Sequence, residues 1–231
     1  MSSKRSSDKA SVLPPNTPLA RVVTALGHPA PAQRQTPSSY LSPLFPISEA
    51  IALQSALALP RVTAQGVDAA ALVNEVLDRR QALIAQLNGS IRGDDNNADG
   101  PRFPLAADSE QALDKTPCID WFQAHQRILA LGARRLRLRV RETLSQHSAA
   151  MARLAALDEQ FEHALQPSVR AASASLRQTF DARFPSAPAD QRALTGYAEE
   201  GEQLLCAELD WRLAPVFGLL QALTEKEDTS L

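Results

Sequence analysis

The chain has 231 residues, 44% of them hydrophobic but only 5% aromatic, and a formal net charge of −2. That length allows one or two domains with a sizeable core, and the near-neutral charge argues against a general nucleic-acid coat. Cys118 and Cys206 are the only cysteines, which excludes a disulfide framework and fits reduced thiols in a cytoplasmic protein. Ala and Leu dominate, while Val and Ile are sparse. A core of good helix formers predicts an all-α fold.

Residues 1–16 are polar, proline-bearing and without periodicity, and are expected to form a disordered tail. They lack the apolar region of a signal peptide. No run of about 18 apolar residues occurs anywhere, so direct membrane insertion is not expected. Residues 17–88 read as a region of short helices. Thr17–Pro18 starts a helix that Gly27 stops, and Ser48 caps a second that Pro60 stops. Between them five prolines interrupt the apolar Tyr40, Leu41, Leu44, Phe45 and Ile47, a connector expected to lie across a hydrophobic surface. A third helix is predicted from about 69 to 87, with Leu72, Val76, Leu83 and Leu87 on one face and Asn88–Gly89 as its stop.

Residues 89–116 are rich in Gly, Asp, Asn and Pro and predict an acidic, flexible loop. Its carboxylates do not match the EF-hand spacing. Residues 117–227 then predict a long-helix bundle, with 228–231 as a tail. The stretch 118–166 contains no proline and one glycine, Gly132. Phe122, His125, Leu129, Leu136, Val140, Leu144, His147, Met151, Leu154, Phe161 and Leu165 recur at helical spacing along it. A single helix of that length would extend on the order of 70 Å, against a radius of gyration of roughly 17 Å for a compact chain this size. It must protrude, bend near Gly132, or pack lengthwise on another long helix. Pro167 is expected to end or kink it, a helix over about 168–184 to follow, and the last long helix to run from about 190 to 227. The expected architecture is an all-α, elongated helical bundle with two long helices and shorter packing helices.

The densest charge is RRLRLRVR, where Arg134, Arg135, Arg137, Arg139 and Arg141 surround the seam residues Leu136 and Val140. Such a run can neutralise phosphates, but no stacking aromatics are interleaved with it. The last helix carries Glu199, Glu200, Glu202, Glu208 and Asp210, so the arginines are expected to pair with that face within the protein or between protomers. The seam Leu136, Val140, Leu144, Met151 and Leu154 is expected to be core or an interface with a second chain. His125 and His147 fall on the same seam and read as packed side chains. No ExxH, HExxH, Walker A, GxGxxG or GxSxG pattern in a suitable context supports a cofactor, a metal or catalysis.

The arginine run followed by MARLAALDEQFEHAL, with the short helix at Ser48–Leu59 before it, resembles a family of uncharacterised helical bacterial proteins. The resemblance covers about residues 40–225. Genes of the family it resembles often lie beside those for MotA/TolQ-type proton-channel subunits and OmpA-like proteins. It implies an accessory protein of a membrane-anchored assembly and carries over no catalytic residues. Taken with the residues themselves, it makes a non-enzymatic interaction or scaffold protein, with a protein partner or a second copy on the seam, the expected function. The alternative is a nucleic-acid-associated protein that binds phosphates through the arginine run.

Overall fold

The computed structural model describes residues 68–93, 100–104, 115–185 and 191–228. The expectations placed on residues 1–67, on most of the 89–116 loop and on the C-terminal tail fall outside the described residues. Within them lie four helices and no strand: α1 (Ala69–Arg92), α2 (Thr116–His147), α3 (Ala149–Ala182) and α4 (Gln191–Asp228). The all-α expectation holds, and no described helix is long and apolar enough to cross a membrane.

Helix α1 starts where Asp68 Oδ1 accepts the Ala71 N–H at 2.9 Å, satisfying one of the donors a helix N-terminus leaves open. It runs one turn beyond the Asn88–Gly89 stop. Ser90 and Ile91 are buried, and Ser90 Oγ donates back to the Leu87 carbonyl at 2.6 Å. The extra turn therefore gains core contacts that outweigh the helix-breaking glycine. Gly93, at φ 75°, ends it and returns its N–H to the Gly89 carbonyl, a left-handed cap that glycine adopts without steric cost.

The single helix expected over 118–166 is two helices folded into a hairpin. Ser148, fully extended at φ −160° and ψ 162°, ends α2 and caps α3, with its Oγ accepting the Met151 N–H at 3.3 Å. One residue thus reverses the chain. Antiparallel pairing follows: Phe122 stacks on Phe180, Gln126 reaches the Ser173 carbonyl, and Arg137 meets Asp158. The physical reason is coverage, since an unbroken seam could not be buried in so small a molecule, whereas a folded one buries its two halves against each other. Pro167 lies inside α3 and does not terminate it. Its ring is exposed, on the side where water can take the carbonyl that proline leaves without a donor.

Helix α4 packs along both arms of the hairpin and runs parallel to α2, with Gly201 level with Trp121 and Glu208 level with Gln126. Helix α1 crosses α2 at Gly132, where a Cβ would lie 2.7 Å from Leu83 Cδ1. Gly132 is therefore a point of close approach within a continuous helix. Leu136, Val140, Leu144 and Met151 are buried, and Leu154 packs against the same core. The seam is covered by the chain's own helices.

One end of the bundle collects rings. Phe122 stacks on Phe180 with centroids 4.4 Å apart, Phe180 stacks on Tyr197 at 4.2 Å, and Phe103 meets Trp121 edge-on at 5.0 Å. Phe103 belongs to the short described piece 100–104, tied to α1 by its N–H donating to the Ser90 carbonyl at 2.9 Å. Ser90 Oγ accepts the Trp121 indole N–H at 3.1 Å, and the Tyr197 hydroxyl donates to the Phe180 carbonyl at 3.0 Å. Each polar tip in this cluster is satisfied, as buried Trp and Tyr require.

Candidate functional site

The arginine run sits in the middle of α2 and is divided among three surroundings. Arg137 donates from Nε and Nη2 to the two carboxylate oxygens of Asp158, at 2.8 and 2.6 Å. Arg141 donates from Nε to Asp158 at 2.6 Å and from Nη2 to the Asp158 carbonyl at 3.0 Å, and its Nη1 meets Glu162 at 2.7 Å. All of Asp158, Arg137 and Arg141 are nearly removed from solvent. Arg139 approaches Glu75 of α1 at 3.4 Å, on the exposed surface. Burial alone would push the Asp158 carboxyl up, but hydrogen bonds and charge from Arg137 and Arg141 outweigh it and hold the pKa below the ordinary aspartate value.

Of the expected partners of these arginines on the last helix, Glu208 and Asp210 are engaged elsewhere. Asp210 pairs with Arg80 of α1 at 2.8 Å. Glu208, almost fully buried, accepts from Arg212, Ser173 Oγ and Gln126 Nε2 at 2.7, 2.7 and 2.8 Å. The correction follows from the hairpin. Folding at Ser148 brings Asp158 and Glu162, spaced i,i+4 on α3, opposite Arg137 and Arg141, spaced i,i+4 on α2. Two matched i,i+4 pairs were a legible signal, but only once the turn is known.

Arg134 and Arg135 point into different surfaces. Arg135 lines an open recess between α1 and α2 with Asn74, Glu75, Asp78 and Arg79. Arg134 lines a groove of about 580 Å³ formed by α2, α3 and α4. On the α2 side of this groove Arg127, Leu131, Arg134 and Leu138 follow one another at helical spacing. Leu131 and Leu138 are 49% and 48% exposed. Arg127 and Arg134 have no carboxylate partner among the described residues. Across from them lie Glu159, His163 and Val169 of α3 and Trp211 and Pro215 of α4. Trp211 is half-buried. It gives the same groove an aromatic residue that the arginine run itself lacks, brought there by the tertiary fold.

The groups with chemical reactivity are held by packing. His125 is buried against Trp121, with ring centroids 4.9 Å apart. A carbonyl can only accept, so the 3.0 Å contact makes Nδ1 the protonated nitrogen, donating to the Trp121 carbonyl. Nε2 is then a buried lone pair with no partner among the described residues. Burial pushes the His125 pKa down, against the smaller upward pull of that carbonyl. Cys118 is buried. The Cys206 thiol is pushed up to about 11, first by burial and then by Glu202 and Asp210, which leaves it protonated and a poor nucleophile at neutral pH.

A family model described as "Protein of unknown function (DUF3348)" matches residues 6–199, most of the chain, and the chain belongs to that family. No curated protein and no solved structure matches it.

Proposed function

We propose that this DUF3348 member is a non-enzymatic interaction protein whose groove between α2, α3 and α4 docks an amphipathic, carboxylate-bearing helix of a partner protein. The observation that carries this reading is the α2 face Arg127–Leu131–Arg134–Leu138. Its two leucines are half-exposed and alternate with arginines that lack a carboxylate partner among the described residues. Covering the exposed part of each leucine contributes on the order of 1 kcal/mol. The flanking guanidiniums favour a partner with acidic residues at the edges of its apolar stripe, and steer its approach. Membership of a membrane-anchored assembly, as the family resemblance implies, would make that helix part of another subunit.

A polyanion reading through residues 134–141 has less support. Arg137, Arg139 and Arg141 each face a carboxylate of this chain, so binding phosphate there would break ion pairs already formed.

A synthetic Leu/Glu amphipathic helix, compared with its Lys-for-Glu counterpart, tests the docking. Trp211 lines the groove while Trp121 is buried, so intrinsic fluorescence reports occupancy. The acidic peptide should bind and the basic one should not. Leu131→Glu with Leu138→Glu should abolish binding, and Leu77→Glu, at an exposed leucine of α1, should leave it intact. Equal binding to all variants overturns the reading. So does a dimer in light scattering that Leu131→Glu/Leu138→Glu dissociates, which would make the occupant a second copy. Steeply salt-dependent nucleic-acid binding lost in Arg127→Ala/Arg134→Ala would replace it with the polyanion alternative.

A further inference from the structure

Beside the docking groove, across Gln166 and Arg212, lies a second recess of about 400 Å³. Its wall is one face of α3, with Gln166, Arg170, Ser173 and Arg177 at steps of three and four residues. Gln126 of α2 and Arg212 of α4 close it. Three guanidinium groups therefore line a recess whose lining contains no carboxylate. Arg170 and Arg177 are exposed and have no carboxylate partner among the described residues.

The third arginine is fixed in place. Arg212 donates from Nε and Nη2 to Glu208 Oε1 at 3.1 and 2.7 Å, and from Nη2 to Ser173 Oγ at 2.7 Å. Glu208 itself is 1% exposed and is held further by Gln126 Nε2 at 2.8 Å and Ser173 Oγ at 2.7 Å. Glu208 thus lies beneath the recess, neutralises Arg212 and immobilises it, while Arg212 Nη1 takes no partner among the described residues. The net positive charge of the recess comes from Arg170 and Arg177. Seven residues separate them, so their backbones lie about 10.5 Å apart along the helix, and they enter from either side of Ser173.

We infer that this recess binds a phosphoryl ligand, a diphosphate group in particular, between Arg170, Arg177 and Arg212. Planar guanidiniums present paired donors that match phosphate oxygens. The fixed Arg212 presents its remaining donors without further ordering, which lowers the entropic cost of binding. Two arginines arriving from two turns apart suit a group with negative charge at both ends better than a single orthophosphate. The volume lies in the range of small-ligand sites. The recess shares Gln166, Val169 and Arg212 with the docking groove, but the inference rests on Arg170 and Arg177, which the groove does not contain, and not on its unpaired Arg127 and Arg134.

Isothermal titration of the full chain with inorganic pyrophosphate at low salt tests it. Saturable one-site binding is expected, at least tenfold weaker in Arg170→Ala/Arg177→Ala and several-fold weaker in the Lys/Lys pair, which keeps charge but loses the paired donors. Leu131→Glu/Leu138→Glu should leave it within twofold of the parent. Pyrophosphate binding retained in that variant while the acidic peptide is lost separates the two sites, and failure of peptide docking alone leaves this proposal standing. Absence of saturable binding overturns it. Equal binding of sulfate at matched ionic strength, or equal weakening by Arg127→Ala/Arg134→Ala, overturns it as well. Phenylglyoxal labelling of the unmutated chain gives the same answer without a variant. Pyrophosphate should protect Arg170 and Arg177 and leave Arg127 and Arg134 reactive, and labelling indifferent to pyrophosphate overturns the site.

Discussion

The two ends of the α2–α3 hairpin solve one packing problem with opposite chemistry. At the open end, Phe103, Trp121, Phe122, Phe180 and Tyr197 stack and interlock, and the polar tips of Trp121 and Tyr197 are each hydrogen-bonded. Toward the closed end, Asp158 is clamped by Arg137 and Arg141, and Glu162 adds a second carboxylate. Rings tolerate no unfilled space but need no partner of opposite charge. Buried charges need every partner in place, because the desolvation that each has undergone is repaid only by the others. The aromatic end is therefore sensitive to volume and the ionic end to the removal of a single group.

The largest expected effect lies at the ionic end. Asp158→Ala leaves two nearly buried guanidiniums without their shared carboxylate, and should cost about 3–5 kcal/mol in chemical denaturation. Replacing Asp158, Arg137 and Arg141 together by apolar residues should cost much less than Asp158→Ala alone. If the single and triple changes cost the same, the clamp is not a coupled unit.

Next comes volume at the aromatic end. A Cβ on Gly201 would lie 2.7 Å from Phe180 Cε2 and 3.0 Å from the Trp121 ring. Gly201→Ala should therefore destabilise by about 1–3 kcal/mol, although alanine is the better helix former by about 1 kcal/mol. A more stable Gly201→Ala variant would mean that the rings can shift and the end is loosely packed.

The ends should also separate on titration. The His125 pKa is lowered in the folded chain, so between the folded and unfolded values the unfolded state holds the extra proton. Its contribution is present above about pH 6.5 and is lost as the pH falls through the folded value. Asp158 is also lowered, but its contribution is present above about pH 4 and is lost only as the pH falls through its own folded value. Near-UV circular dichroism, which reads the rings, should therefore weaken at milder acidity than the helical far-UV signal. His125→Phe should flatten the stability slope between about pH 7 and 5 and leave the more acidic step. Coincident loss of both signals would make the bundle one cooperative unit.

The smallest effect is expected outside both ends. Arg80 and Asp210 pair at 2.8 Å but remain about a third exposed, so Arg80→Ala should shift stability by less than about 1 kcal/mol. A larger loss would place this pair with the buried clamp.

Helical spacing, the Ala and Leu content and the scarcity of strand formers were enough to determine an all-α bundle. The stripe of α1 and the burial of Leu136, Val140 and Leu144 follow from local periodicity, which depends only on the geometry of a helix. What periodicity does not carry is where a helix turns back. Pro167, expected to end or kink a helix, lies inside α3, whereas Ser148, an ordinary polar residue, reverses the chain. That choice is made by how much apolar surface each fold-back covers, a property of the whole molecule. Everything at the candidate sites depends on it: Asp158 beneath the arginines, Trp211 in one groove with Arg134, and Arg212 in one recess with Arg170 and Arg177. Those residues are far apart along the chain, and only packing decides that they meet.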